Sequence, residues 1–202
     1  SSRFQAFKNE LLRNNGVVNL TRSTESPNYI DNMFRNVTWE DMKQEQGSNF
    51  GAATIDYDYF ETMKMEIVEG RSFSREYGRD SANVIFNQTA IKLMGYDNPI
   101  GRSFSLDDDN LGNIVGVVKD FHSRPLTENI EPVMFIIKPD WCGTVLVRIQ
   151  ENQTESTIHY IEKIYKEFAP KHSFNYTFLD KSIDQVYQAE QNVGMLSALF
   201  SF

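Results

Sequence analysis

Apolar residues recur at helical spacing near the start of the chain, where Phe4, Phe7, Leu11 and Leu12 fall on one face of a helix predicted over residues 3–14. Gly16 stands where a left-handed C-terminal cap is wanted. The period then changes to that of strands: 17–20, and, after a polar, turn-rich stretch at 23–31, an alternating run at 33–39 with 52–55 as its pairing partner. Asp58, with Glu61 three residues on, makes a capping-box-like start to a short helix over 59–63. A strand over 65–69 follows and closes at Gly70.

Residues 83–135 pack several short elements together. Val84-Ile85-Phe86 is a brief apolar strand, and Asn87 caps a helix over 89–94 because its side-chain oxygen accepts a free amide; Gly95 ends that helix. Asn98-Pro99-Ile100-Gly101 is a turn, 102–106 alternates as a half-buried strand does, and 113–119 is β-branched and apolar on both faces. Gly116 within it marks a bulge or a close backbone approach. Beyond, 144–149 is a strand, and Thr154 caps a helix striped by Ile158, Ile161, Tyr165 and Phe168. Ala169-Pro170 stops that helix, 174–179 reads as a strand, and from Ser182 the pattern turns helical, with Ile183, Val186, Tyr187 and Glu190 on related faces.

These patterns predict an α+β fold with two β-α-β units, around 59–63 and 158–168, and helices on one face of a mixed sheet. Two subdomains are expected. A porter-like subdomain over 1–76 and 140–190 is interrupted by a smaller β-rich one over 77–139, with crossings near 75–81 and 138–143, where Gly78, Pro139 and Gly143 break the pattern.

Several weak motifs stand in a telling order. Asp56-Tyr57-Asp58-Tyr59-Phe60 and Glu69-Gly70-Arg71-Ser72-Phe73-Ser74 precede Val84-Ile85-Phe86-Asn87-Gln88-Thr89-Ala90, Asn98-Pro99-Ile100-Gly101-Arg102, the run from Ile114 to His122, and Ile130-Glu131-Pro132-Val133-Met134-Phe135. In order and spacing they resemble the extracytoplasmic, MacB-like periplasmic core domain of FtsX/MacB-family ABC transporter permeases of the Bacteroidetes type, over nearly the whole chain. The resemblance implies a domain facing the periplasm from the bacterial inner membrane, anchored by flanking transmembrane helices. It also implies mechanical coupling of ATP hydrolysis to export or envelope signalling, with a cytoplasmic ABC ATPase subunit as partner. ATP would be bound by that subunit, leaving no cofactor in this domain. A periplasmic adaptor or cell-wall partner and a dimer or pseudo-dimer belong to the same picture. Stalk helices would carry the motion, one through Phe4, Phe7 and Leu11, the other through Ile183, Val186 and Tyr187. The alternative is a periplasmic module that binds a peptide, lipoprotein or hydrophobic drug, with Tyr59 and Trp141 as cleft aromatics.

Composition agrees with a globular domain: 40% of residues are hydrophobic and 24% charged, and 202 residues suffice for one substantial core or two small ones. The net charge of -8, with no basic cluster, argues against a nucleic-acid partner. The single Cys142 excludes an intrachain disulfide framework or a cysteine-based zinc cluster. No apolar run is long enough to cross a bilayer, and residues 191–202 are read as the first turns of a membrane helix.

Catalytic chemistry finds little footing. The chain has no G-x-x-x-x-G-K-[ST], G-x-G-x-x-G or G-x-S-x-G motif. Of its three histidines, His159 lies off the helix stripe and His172 in a turn, leaving His122 beside Asp120 as the one pair suited to orient an imidazole. Asp107-Asp108-Asp109-Asn110 lacks the alternating spacing of a calcium loop and reads as a solvated hairpin tip. No catalytic, cofactor or metal residue is assigned.

Overall fold

The computed structural model describes residues 2–27, 29–42, 48–78, 80–106, 110–123 and 129–179. In chain order these form α1 (Ser2–Leu11), β1 (Val17–Ser23), β2 (Met33–Trp39), β3 (Ser48–Ile55), α2 (Tyr59–Met63), β4 (Ile67–Gly70), β5 (Val84–Asn87), α3 (Gln88–Met94), β6 (Ser103–Leu106), β7 (Asn110–Val118), β8 (Val133–Ile137), β9 (Thr144–Ile149) and α4 (Thr154–Phe168). The fold is α+β.

Nine strands share one mixed sheet in the order β2-β6-β7-β5-β8-β3-β1-β9, with β4 beside β7. The path closes on itself. Strand β2 bonds to β3 through Met33, Phe34 and Val37, and to β6 through Val37, Thr38 and Trp39. A bulge between Phe34 and Val37, with Asn36 at φ 57°, bends β2 from one partner to the other. Strands β2, β6, β7, β5, β8 and β3 therefore form a ring, from which β1 and β9 continue outward.

Alternation along the strands sorts side chains to its two sides. Phe50, Val84, Phe86, Phe104, Met134 and Ile136 gather in one buried cluster with Ala90, Ile91 and Met94 of α3. Phe86 is its hub, its ring 5.4 Å from Phe50 and 5.9 Å from Phe104. The alternate residues Ile55, Ile85, Val133, Phe135 and Ile137 pack instead with Tyr59 and Phe60 of α2. Helices α2 and α3 thus cover opposite faces, where the sequence pattern predicted helices on one. Strands buried throughout, such as Val133–Ile137, need cover on both sides. A third cluster joins α1 and α4 to β1 and β9 through Phe7, Leu11, Leu20, Val147, Ile161 and Ile164.

Hydrogen bonding crosses the expected boundaries of the 77–139 insertion: β8 pairs in parallel with β3, and β6 antiparallel with β2. Asn87 caps α3 as expected, its Oδ1 accepting from the Ala90 N–H at 3.0 Å and also from the Val133 N–H at 2.9 Å. Gly95 takes the left-handed C-cap at φ 76°. Gly116 is a close approach, since a Cβ there would lie 2.3 Å from the Arg71 carbonyl.

Four local expectations are corrected. Helix α1 ends at Leu11, and Gly16 instead lets the start of β1 approach α4, where a Cβ would sit 1.9 Å from Thr157 Oγ1. In α4, Thr157, Ile161 and Ile164 face inward, Thr157 against Gly16, with Ile158 and Tyr165 half-buried at the margins. Thr154 is the first residue of α4 and donates its hydroxyl to the Glu151 carbonyl rather than capping. Residues 173–178 belong to no ladder, and the rings of Phe174, Tyr176 and Phe178 follow one another at 5.6 and 5.7 Å, the second pair edge-on.

Candidate functional site

Among the described residues, a dense charged constellation lies where α1 meets the sheet. Strand β1 touches β3 at a single register pair, Ser23 with Ile55, and the next residue on each side is charged: Arg22 and Asp56. The Asp56 side chain is 2% exposed and Arg22 11%. Arg22 donates Nε and Nη2 to Asp56 Oδ2 at 3.0 and 2.6 Å, Arg75 donates Nη2 to Oδ1 at 3.2 Å, and the Tyr57 N–H donates to Oδ1 at 2.8 Å. Two rings flank this group. The Arg22 guanidinium lies 4.0 Å from the Phe4 ring of α1, and that of Arg75 lies 4.1 Å from the ring of Tyr57.

A second tie runs one turn further along α1. Lys8, buried between Phe7 and Leu11, donates Nζ to the Leu20 carbonyl at 2.8 Å and to Asp58 Oδ2 at 2.7 Å. Asp58 holds a left-handed backbone, φ 66°, and makes no side-chain cap for α2; its carboxylate is committed to Lys8, which corrects the capping-box expectation. Asp58 is 44% exposed, so this pair contributes at most about 1 kcal/mol. The Arg22–Asp56 pair is the strong element, because removing either partner strands a buried charge.

Of the expected stalk residues, Phe4 stacks on Arg22, Phe7 meets Phe168 edge-on at 5.4 Å, and Leu11 is fully buried. Ile183, Val186 and Tyr187, and the apolar stretch 191–202, lie outside the described residues. The two cleft aromatics do not converge. Tyr59 is 1% exposed, packed on Phe60 and Phe135, and burial raises its phenol above the ordinary range, so it lines no cleft. Trp141 stands out at 63% exposure in the turn Pro139–Trp141, with Lys138 Nζ 4.2 Å from its ring. Two surface depressions, about 490 and 500 Å³, lie elsewhere, one beside Trp39, Leu93 and Tyr96 and the other beside Arg71 and Ile100.

Asp120 does not orient His122. Its carboxylate accepts from the Thr89 N–H at 2.8 Å and the Thr89 hydroxyl at 3.0 Å, serving the start of α3. Asp107, Asp108 and Asp109 lie outside the described residues, and among the described residues no three metal-ligating side chains gather. Lys8, Arg22 and Arg75 escaped the sequence reading, and Asp58 was read there only as a helix cap. Lys8 and Arg22 do carry a signal, as charges placed inside apolar patterns.

Neither protein-family models nor curated protein sequences give a match to the chain. Solved structures do. The extracellular domain of the ABC-type transporter YknZ from Gram-positive bacteria aligns with TM-score 0.55 and 16% identity, over 83% of this chain and 82% of that one. The periplasmic region of MacB from Actinobacillus actinomycetemcomitans aligns with TM-score 0.56 and 15% identity, over 93% and 82%. A domain attributed to a permease protein of Porphyromonas gingivalis aligns with TM-score 0.54 and 19% identity, over 79% and 66%. The chain therefore has the fold of extracytoplasmic domains of ABC-transporter permeases, as the resemblance implies.

Proposed function

We propose that this chain is the extracytoplasmic domain of an FtsX/MacB-type permease subunit and acts as a mechanical coupler between a cytoplasmic ABC ATPase and the envelope. The fold shared with three transporter domains supports the general role. The junction beneath α1 carries the coupling. A helix that transmits motion from a membrane segment must not slide on the sheet it drives. Phe4 on Arg22, Arg22 on Asp56, and Lys8 on both Asp58 and the β1 backbone tie α1 to the strand system at two levels. Directional contacts of this kind resist shear in a way that apolar packing alone does not. On this reading the domain faces the periplasm from the inner membrane, two copies or pseudo-copies stand side by side, and the ring presents its outer surface to an adaptor or cell-wall partner.

The test uses the permease assembled with its ATPase, in a Cys142→Ser background. Spin labels at Leu12→Cys and Leu93→Cys within one subunit hold a single separation in ATP-bound and nucleotide-free states, while the distance between Leu93→Cys labels on two subunits changes. An α1 that moves against a stationary ring would defeat the reading. The alternative of a ligand-binding module is supported by no observation of comparable weight, since Tyr59 lies inside the core.

A further inference from the structure

We infer that the depression beside Trp39 and Tyr96 receives a lysine side chain from an extended segment of an envelope partner; this rests on the coupler reading above, which gives the ring an outer partner. The depression, about 490 Å³, lies where the end of β2 meets the end of α3, and its size is that of sites that hold a ligand. Its inner lining is apolar. Met94 belongs to the buried cluster around Phe86, Trp39 and Tyr96 pack against that cluster, and Trp39 is set edge-on to Phe50 at 6.1 Å. The Tyr96 hydroxyl donates to the Glu40 carbonyl, which fastens the second ring to the end of β2. Leu93 carries the apolar wall outward and is 51% exposed.

The rim has the opposite character. Asp41 and Asp97 line it, both exposed, and Glu40 stands next to Asp41. Among the described lining residues Arg102 alone is cationic; its Nη1 lies 3.6 Å from both Glu40 Oε2 and Asp41 Oδ2, and its guanidinium 5.3 Å from the Tyr96 ring. Three carboxylates thus surround one guanidinium, and the rim is short of positive charge. The Tyr96 phenol senses that field: burial first, then the charge of Glu40, push it above its ordinary value, with Asp41 adding and Arg102 opposing. An occupant must therefore join an apolar stem to a cationic tip. Lysine does so, its four-carbon chain lying along apolar surface while the ammonium stays at the wet rim. The indole and phenol rings add their own attraction for a cation. Because Leu93, Asp41 and Asp97 stay exposed at the mouth, the site encloses a side chain and leaves the backbone that carries it outside, as a pocket for an interface anchor does.

NMR titration of the isotope-labelled 202-residue chain with the peptide acetyl-Leu-Lys-Leu-amide tests this. The chain has two tryptophans, so the indole N–H signals of Trp39 and Trp141 report the depression and a turn outside it side by side. The lysine peptide shifts the Trp39 signal saturably and leaves that of Trp141 in place. Acetyl-lysine at the middle position, which keeps the stem and removes the charge, weakens binding at least about fivefold, and glutamate there weakens it further. Asp41→Asn combined with Asp97→Asn, both exposed positions, loses a similar factor, and so does raising NaCl from about 0.05 to 0.5 M. No Trp39 shift at about 10 mM lysine peptide, or equal binding of the lysine and acetyl-lysine peptides, overturns the proposal. Equal or tighter binding of phenylbutylammonium also overturns it and assigns the site to a free amphiphilic cation. The peptides are compared on the unsubstituted chain, so the outcome does not depend on a variant folding. With neither ATPase nor membrane present, a failed coupling measurement leaves this result standing, and a failed titration leaves the label distances standing.

Discussion

Replacing Asp56 by asparagine isolates the ion pair beneath α1. The carboxylate accepts four hydrogen bonds, two from Arg22, one from Arg75 and one from the Tyr57 N–H. Asparagine keeps the shape but offers one acceptor oxygen, and its NH₂ group must then face a guanidinium or an N–H. Arg22, 11% exposed, loses its counter-charge without gaining access to water. Removing one partner of such a pair costs about 3–5 kcal/mol, whereas a solvated pair would lose about 0–1. The Arg75 contact, 60% exposed on the arginine side, adds only to the lower figure. In a domain of this size the loss lowers Tm by about 6–20 °C. Urea unfolding at neutral pH, followed by tryptophan fluorescence, measures it. Burial also shields the pair from salt, so the gap between parent and Asp56→Asn stays constant between about 0.05 and 0.5 M NaCl. The double variant Arg22→Met with Asp56→Leu recovers most of the loss, because no buried charge remains. A single-variant loss under about 0.5 kcal/mol, or a gap that collapses in salt, would refute the claim that a buried charge pair holds this junction.

Four further outcomes follow from the same structure. Burial pushes the Asp80 carboxyl up, but hydrogen bonds from Arg71, the Ser74 N–H and Asn83 outweigh it and hold the group below the ordinary carboxylate range. A depressed folded pKa stabilises above the unfolded value and is lost as pH falls through the folded one, so the gap of about 3 kcal/mol between parent and Asp80→Asn narrows below about pH 4; a gap that widens in acid contradicts this. Gly16→Ala drives its new methyl into Thr157 and costs about 1–3 kcal/mol in urea unfolding, most of it restored by Thr157→Ala, whose hydroxyl is buried without a partner among the described residues. Additive effects of the two changes would deny the contact. Phe86→Ala empties the centre of the ring and loses about 3–5 kcal/mol, and a loss under about 1 would mean that the interior is not packed around it. Burial, reinforced by the charge of Asp56, pushes the Cys142 thiol up to about 11. Iodoacetamide near neutral pH therefore alkylates it on the order of 100-fold more slowly than a free cysteine, as mass spectrometry over time will show; labelling within a few-fold of free cysteine would contradict that burial.

Local elements were legible where a short-range pattern decides them. The cap at Asn87, the stop at Gly95, the close approach at Gly116 and most strands follow from residues a few positions apart, and the order of weak motifs pointed to the fold that solved transporter domains share. What misled was local chemistry with a distant claimant. Asp58 and Glu61 have capping-box spacing, yet Lys8, fifty positions earlier, takes the carboxylate. Gly16 has the right place for a helix cap, yet Thr157 requires its missing side chain. Tyr59 was offered as a cleft aromatic, and only the arrival of Phe135 shows it to be core.

The sequence by itself determined most of the helices and strands, most of their apolar faces, and that catalytic motifs are wanting, because each of these is written at a spacing of two to four residues. Tertiary structure alone decided that β2 bonds to both β3 and β6 and closes the ring, that α2 and α3 take opposite faces, and that Arg22 meets Asp56 under Phe4. The physical reason is that ring closure and buried charge pairing join residues tens of positions apart, and a strand's own pattern says which face is apolar but not which strand, helix or counter-charge will cover it.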